Sequence, residues 1–370
     1  MTNTSIHLAK VIRLTLFFLA VMSFVFAQTE QSNTGGAGQD AQSDWFNQPG
    51  AEGEEAQGEE AQDEQVQDEQ VQSEEAQDAA EERIINIDFS GGSQRSESLR
   101  YGPLVYTHPD PEGLTATVSN LTIYAQNAEL SAPDEVLIAR AEGQREASFT
   151  GGVRVERGRL TATGPDLVYS ESTGLGVMPT QTQIVVTPAE EGDAPVNIGA
   201  DEVTFDVDTD TSISRGNVSL ENGEQSAQAQ ELTFEEGRDL ARLSSEGEQV
   251  TARRESDGSV LTITADVIRT NTADDTLLAE GNVTIVDGDI TSSGDTVYFN
   301  DEASRAEVIG APATSVNEAQ GVTLTGARLE QRTDLDVVRV LDESVPAQFD
   351  PAQFTLTTEQ QGEQAQGQGE

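Results

Sequence analysis

Residues 279–299 read AEGNVTIVDGDITSSGDTVYF. Apolar and polar side chains alternate on either side of Gly281, Asn282, Gly288 and Gly294, the pattern of half-buried strands joined by tight turns. The first part of this stretch, GNVTIVDG at 281–288, has two earlier counterparts: GGVRVERG at 151–158 and GNVSLENG at 216–223, each 65 residues from the next. A fixed period with matching internal glycines marks a repeated structural unit. Each unit places apolar residues at spacing two, at Val153 and Val155, Val218 and Leu220, Val283 and Ile285. The same spacing follows at Leu167 and Tyr169, Leu232 and Phe234, Val297 and Phe299. A second half-unit repeats Ala200-Asp201 as Ala265-Asp266, in IGADEVTFDVD and ITADVIRTNT, and carries Val203, Phe205 and Ile268. Residues 101–345 therefore read as all-β, with roughly fifteen to twenty short strands at the usual turn spacing and no room for a long amphipathic helix.

Strands with one apolar face must bury that face. A closed barrel, a stacked solenoid and a long two-walled roll all satisfy this. Aromatic residues make up only 5% of the chain, and the repeated inward positions are mostly Val, Leu and Ile. An aliphatic interior of this kind suits an acyl chain.

The two ends read differently. In MTNTSIHLAKVIRLTLFFLAVMSFVFAQ, Lys10 and Arg13 precede an apolar run over 14–26, with Val25 and Ala27 at the small-residue positions of a cleavage site. Residues 1–27 are expected to be a secretory signal peptide, with a retained anchor as the alternative. Residues 28–100 read as an acidic, low-complexity, disordered linker. Its part over 28–82 has 17 acidic residues and no Lys or Arg, and repeats EEAQG-like units every five residues, a period that forms no helical stripe. The end, 346–370, reads as a similar disordered tail.

Net charge is −47, and Lys10 is the one lysine of the chain. Such a surface repels nucleic acid and anionic membranes. There is no cysteine, hence no disulfide framework and no thiol chemistry. Beyond the leader the one histidine is His108, in YTHPDPEG, a surface turn rather than a catalytic relay. No cofactor is expected.

An ordered set of motifs, SFTGGVRVERGRL (148–160), ADEVTFD (200–206), the two GNV turns and GAPAT (310–314), resembles the OstA-like family of periplasmic lipopolysaccharide-transport proteins, over roughly residues 149–340. That resemblance implies an extended, open, twisted β-jelly roll of antiparallel strands, here built from ~65-residue repeats and long enough for two fused units. It implies an apolar interior holding acyl chains, formed by Val153, Val155, Leu167, Tyr169, Val203, Phe205, Val218, Leu220, Leu232, Phe234, Ile268, Val283, Ile285, Val297 and Phe299. It further implies a periplasmic, non-enzymatic protein whose partners are lipopolysaccharide or another acylated glycolipid, related jelly-roll domains of envelope transport proteins, and further copies of itself, paired head to tail. The first repeat departs from the pattern with Gly152 in place of the asparagine of GNV. The acidic surface also departs, since it repels lipid phosphates unless Arg154, Arg157 and Arg159 or divalent cations line the entry.

Asp206, Asp208 and Asp210 alternate as at the start of a calcium loop, but the sixth and twelfth positions are Thr211 and Asn217 rather than glycine and an acid. Two other functions compete with lipid carriage: a structural or adhesive surface protein built on a solid β-repeat, and a polysaccharide-active β-helical enzyme. Acidic residues are too numerous for any pair to single out a catalytic site for the latter.

Overall fold

The computed structural model describes residues 83–359 apart from 97, 257, 258, 343, 347 and 348. The expected signal peptide, most of the acidic linker and the last eleven positions of the tail lie outside the described residues.

The chain enters through β1 (Asn86–Asp88), β2 (Ser93–Ser96), β3 (Leu104–Thr107), β4 (Leu114–Val118), β5 (Leu121–Ala125) and β6 (Asn127–Ser131). A long hairpin follows, β7 (Glu146–Arg157) and β8 (Leu160–Ser170), then four short strands, β9 (Leu175–Met178), β10 (Thr182–Val186), β11 (Val196–Ala200) and β12 (Glu202–Asp206). The second repeat keeps this order: β13 (Thr211–Asn222), β14 (Gln225–Glu235), then β15 (Leu240–Ser244), β16 (Val250–Ser256), β17 (Ser259–Ala265) and β18 (Val267–Asn271). The third has β19 (Thr276–Asp287) and β20 (Ile290–Asn300), followed by β21 (Arg305–Asn317), β22 (Val322–Arg332) and β23 (Val337–Val340).

Every pairing is antiparallel, and together they form two walls. Each long strand serves both: the first half of β7 pairs with β6 and its second half with β5. β13 is shared in the same way between β12 and β11, and β19 between β18 and β17. The architecture is thus an all-β, two-walled jelly roll assembled from the 65-residue unit.

A bulge marks the point where each long strand changes wall, between Thr150 and Val153, Arg215 and Val218, and Glu280 and Val283. This is the Gly-Asn of the sequence repeat, Gly-Gly in its first copy. Gly281 and Asn282 both take positive φ, 78° and 49°, which an extra residue in a sheet requires and which Gly and Asn tolerate best. The Ala-Asp corner of the other half-unit lies against this bulge. Asn282 Nδ2 donates to Asp266 Oδ2 at 2.8 Å while Asp266 N donates to the Gly281 carbonyl at 2.9 Å. Asn217 and Asp201 repeat the contact at 2.7 Å. In the first repeat Gln126 occupies the corner and Gly152 the bulge, so the two departures from the pattern occur together. The two motif halves are a single interlock.

Inward side chains fall in register along each wall. On one, Val155, Ala162 and Ile184 of the first repeat correspond to Leu220, Ala227 and Ala252 of the second and to Ile285, Ser292 and Ser315 of the third. On the other, Tyr169, Phe234 and Phe299 each pair across the ladder with a small residue, Gly176, Ala241 and Ala306. Large beside small lets the rings interdigitate at native density.

Several expectations need correction. Residues 83–100 are not linker: β1 and β2 pair with β4 and β3, and the buried Glu171 carboxylate accepts from Ile85 N at 2.9 Å and from Arg145 Nη2 at 2.6 Å. The roll therefore begins about fifteen residues earlier than its composition suggested, with 23 strands among the described residues. The tail docks as well: residues 349–359 form a strap in which Phe354 and Leu356 are buried, Phe349 stacks on Tyr298 at 4.7 Å, and Glu359 pairs with Arg242 and Arg269 at 3.1 and 3.0 Å. His108 sits in a turn but is buried, its Nδ1 accepting from Asp110 N at 3.1 Å.

Candidate functional site

All fifteen residues expected inside are buried and belong to one continuous core. They do not all face open space. A slot between the walls lies mainly in the second repeat and is closed by Leu277 and Phe299 of the third; it is lined by Leu220, Ala227, Leu243, Ala252, Ile263 and Thr270 among others, and of the fifteen only Leu220, Ile268 and Phe299 reach it. Its unfilled volume is about 40 Å³, room for roughly three water-sized spheres.

The cross-strand register explains where the slot lies. The first repeat carries Ile184 and Phe205 at two inward positions, and the second has Ala252 and Thr270 there. Replacing a large side chain by a small one on a fixed backbone leaves a gap. In the third repeat the equivalents are Ser315 and Gln331, and the gap closes again, this time with polar groups. Ser292 donates to Gln331 Oε1 at 2.7 Å, its hydroxyl is 2.9 Å from that of Ser315, and Gln331 Nε2 donates to Asp287 Oδ2 at 3.3 Å. Burial raises the Asp287 pKa, with Gln331 opposing. The interior is thus apolar and bulky in the first repeat, apolar with small residues and a slot in the second, and crossed by a polar network in the third.

The slot opens outward past Asn222, Gln225, Thr272 and Asp275, which also line a wide basin of about 660 Å³. The basin is acidic, with Glu190, Asp193, Glu224, Asp274, Asp301 and Glu302 on its walls. Burial raises the Asp275 pKa, and Asp301 and Asp193 raise it further. Gln225 Nε2 bridges Asp301 and Asp275 at 2.8 and 3.4 Å, and Arg254 holds Asp301 at 2.7 Å.

The three arginines considered for a head group do not converge. Arg154 lies over the Tyr124 ring at 3.9 Å and pairs with Glu112 at 3.0 Å and with Glu156. Arg157 is only 2% exposed and donates to the Asp206 and Thr211 carbonyls, both at 3.3 Å, and to Glu236 at 3.4 Å. Desolvation pushes its pKa down, and Glu236 opposes that. Arg159 borders the basin but is held by Asp239 at 2.6 Å and the Thr187 carbonyl at 3.1 Å. Of the three aspartates in the calcium-like run, Asp208 accepts from Arg83 Nε at 3.0 Å and Asp210 from Asn120 at 2.6 Å, so both are engaged in local contacts.

Sequence reading missed Ala252 and Thr270, the residues whose small size makes the slot. A partial signal was present, because Thr270 stands 65 residues after Phe205. Ala252 is displaced from that period by a longer connection and shows itself only through strand pairing.

Neither a protein-family model nor a curated protein matches the chain. Among solved structures, it is similar to LptH from Pseudomonas aeruginosa, described as the LptA-homologous periplasmic component of the lipopolysaccharide transport device. The identity is 10%, the TM-score 0.26, and the match covers 35% of this chain and 81% of that one.

Proposed function

We propose that the protein is a non-enzymatic, exported lipid-binding protein of the cell envelope, of the OstA-like type, which holds an acyl chain of lipopolysaccharide or a similar acylated lipid between the walls of its roll. The observation that carries this reading is the apolar slot of the second repeat, open at one side and lined by Leu220, Leu243, Ile263 and Ile268. Each methylene removed from water there contributes about 0.8 kcal/mol. Native mass spectrometry with lipid extraction, on protein purified from its own envelope, tests it. Wild type is expected to carry an acylated lipid in near-stoichiometric amount. The variant Ala252→Ile/Thr270→Phe, with β-branched and aromatic bulk like that of the first repeat, is expected to be empty. A wild type that is empty and takes up no fatty-acid probe overturns the reading.

The partner reading rests on the edges. Among the described residues no strand pairs with the outer side of β23 or of residues 322–327, and Val322, Leu335, Val337 and Val340 are 44–59% exposed beside that edge. Free backbone groups flanked by apolar side chains favour addition of a strand from a related roll or another copy. Concentration-dependent sedimentation, reduced by Val337→Lys/Val340→Lys, is the expected outcome.

A structural role without a ligand has one observation in its favour, the polar plug formed by Ser292, Ser315 and Gln331, which denies a lipid continuous passage along the roll. On that reading wild type and the filled variant have the same lipid content.

A further inference from the structure

From the joined slot and basin we infer that this site takes a single-tailed amphiphile with a cationic head group, its tail end in the slot and its head in the acidic basin. The inference rests on the reading of the slot as an acyl-chain site and, within that reading, favours an acylated lipid with a cationic head over one that carries phosphates.

Two observations decide the ligand's form. The slot is a single opening of about 40 Å³ walled by side chains on both sheets, so it admits the end of one chain and not several side by side. The way out is through residues shared with the basin, namely Asn222, Gln225, Thr272 and Asp275, so a head group attached to that chain lies among the basin's carboxylates. Among the described residues the arginines that line the slot and basin are each paired: Arg254 with Asp301 at 2.7 Å, Arg253 with Glu255 at 3.1 Å and Arg159 with Asp239 at 2.6 Å. A phosphate or carboxylate head placed there would meet Asp275, Asp274 and Glu302 with no free positive partner, whereas an ammonium head gains from each of them. Asp275 is the sharpest case, because it stands where the slot meets the basin and, among the described residues, is held only by the Gln225 amide and by no arginine. The three arginines over 154–159 supply no anion site, since Arg154 and Arg157 lie outside the basin's lining and Arg159, at its border, is held by Asp239.

The test is isothermal titration of the full chain with three twelve-carbon probes below their micelle concentrations: dodecyltrimethylammonium, dodecyl sulfate and dodecyl maltoside. At low salt the cationic probe is expected to bind at least about tenfold more tightly than the anionic one, a gap of about 1.4 kcal/mol that narrows as salt is added. Asp275→Asn is expected to weaken the cationic probe threefold or more and leave the maltoside unchanged. Ala252→Ile, which fills the slot without touching surface charge, is expected to weaken both, and Ala252→Ile/Thr270→Phe to do so further. Equal or tighter binding of dodecyl sulfate overturns the head-group inference while leaving the slot reading intact. Cationic binding that ignores Ala252→Ile is diffuse attraction to an acidic surface and overturns it too. If none of the three probes binds wild type, the slot is not a lipid site and the functional reading falls with the inference.

Discussion

At the scale of single residues, the fold depends on an interlock between a bulge and a corner. A Cβ on Gly281 would stand 2.4 Å from Asp266 Oδ2, in a backbone conformation, φ 78°, that side chains resist. Gly281→Ala is therefore expected to cost at least about 1 kcal/mol, read from a denaturant midpoint. Asn282→Asp tests the other half. It replaces an amide that donates to Asp266 at 2.8 Å by a second carboxylate, with an expected loss of about 1–2 kcal/mol at neutral pH. Protonation relieves the repulsion, so the loss should shrink as pH falls through the carboxylate range. Glycine and asparagine at a 65-residue period announced these turns in the sequence. That the corner aspartate, sixteen positions earlier, would be their partner was not legible, because the contact runs between strands of different pairings.

The elements were readable where one face is buried and the other wet, since alternation then shows directly. It failed for β1, β2 and the strap. The first two are short edge strands with mostly exposed side chains, and the strap has no periodicity at all; β2 is held by a hairpin to β3, while β1 and the strap are fixed by contacts farther away in sequence. Those contacts are specific enough to test. Thr357 donates through N and Oγ1 to the Glu235 carboxylate at 3.1 and 2.6 Å, and Arg238 Nη1 donates to the Thr355 carbonyl at 2.8 Å. Leu278 of β19, paired across the ladder with the Tyr298 that Phe349 and Phe354 pack on, is only 2% exposed although it lies outside the main core. Phe354→Ala is expected to release the strap, seen as faster amide exchange over 349–359 and in β15 and β18 with β7 and β8 unchanged. The GAPAT motif also finds its place at this scale. It shortens the connection that elsewhere separates β15 from β16, so that β21 runs unbroken from one wall to the other.

Over the whole molecule, the interior changes character from one repeat to the next while the backbone repeats. Sequence reading found the repeat and the inward positions but treated them as equivalent, because their differences take effect only across strand pairs. Asp287 shows the consequence in pH terms. It corresponds to Arg157 in the first repeat and Asn222 in the second, and burial raises its pKa. A carboxylate whose folded pKa lies above its unfolded value binds more protons in the folded state, so stability falls as pH rises from the ordinary carboxylate range through the raised value. Asp287→Asn is accordingly expected to raise the melting temperature at pH 7, with the gain vanishing in acid. The net charge of −47 acts on the same scale. Mutual repulsion opposes the compact state, and added salt is expected to raise the melting temperature.

The shared position of Gly151, Gly216 and Gly281 at each change of wall has a further consequence: the length of this molecule is quantised. Excising residues 217–281 joins Gly216 to Asn282 and regenerates the same turn, with every remaining ladder offered the partner it already expects. Excising half as many leaves long strands facing corners. Growth or loss in evolution, or by design, can therefore proceed in whole units, and each unit added brings its own interior, greasy, hollow or polar, to be placed anywhere along the row.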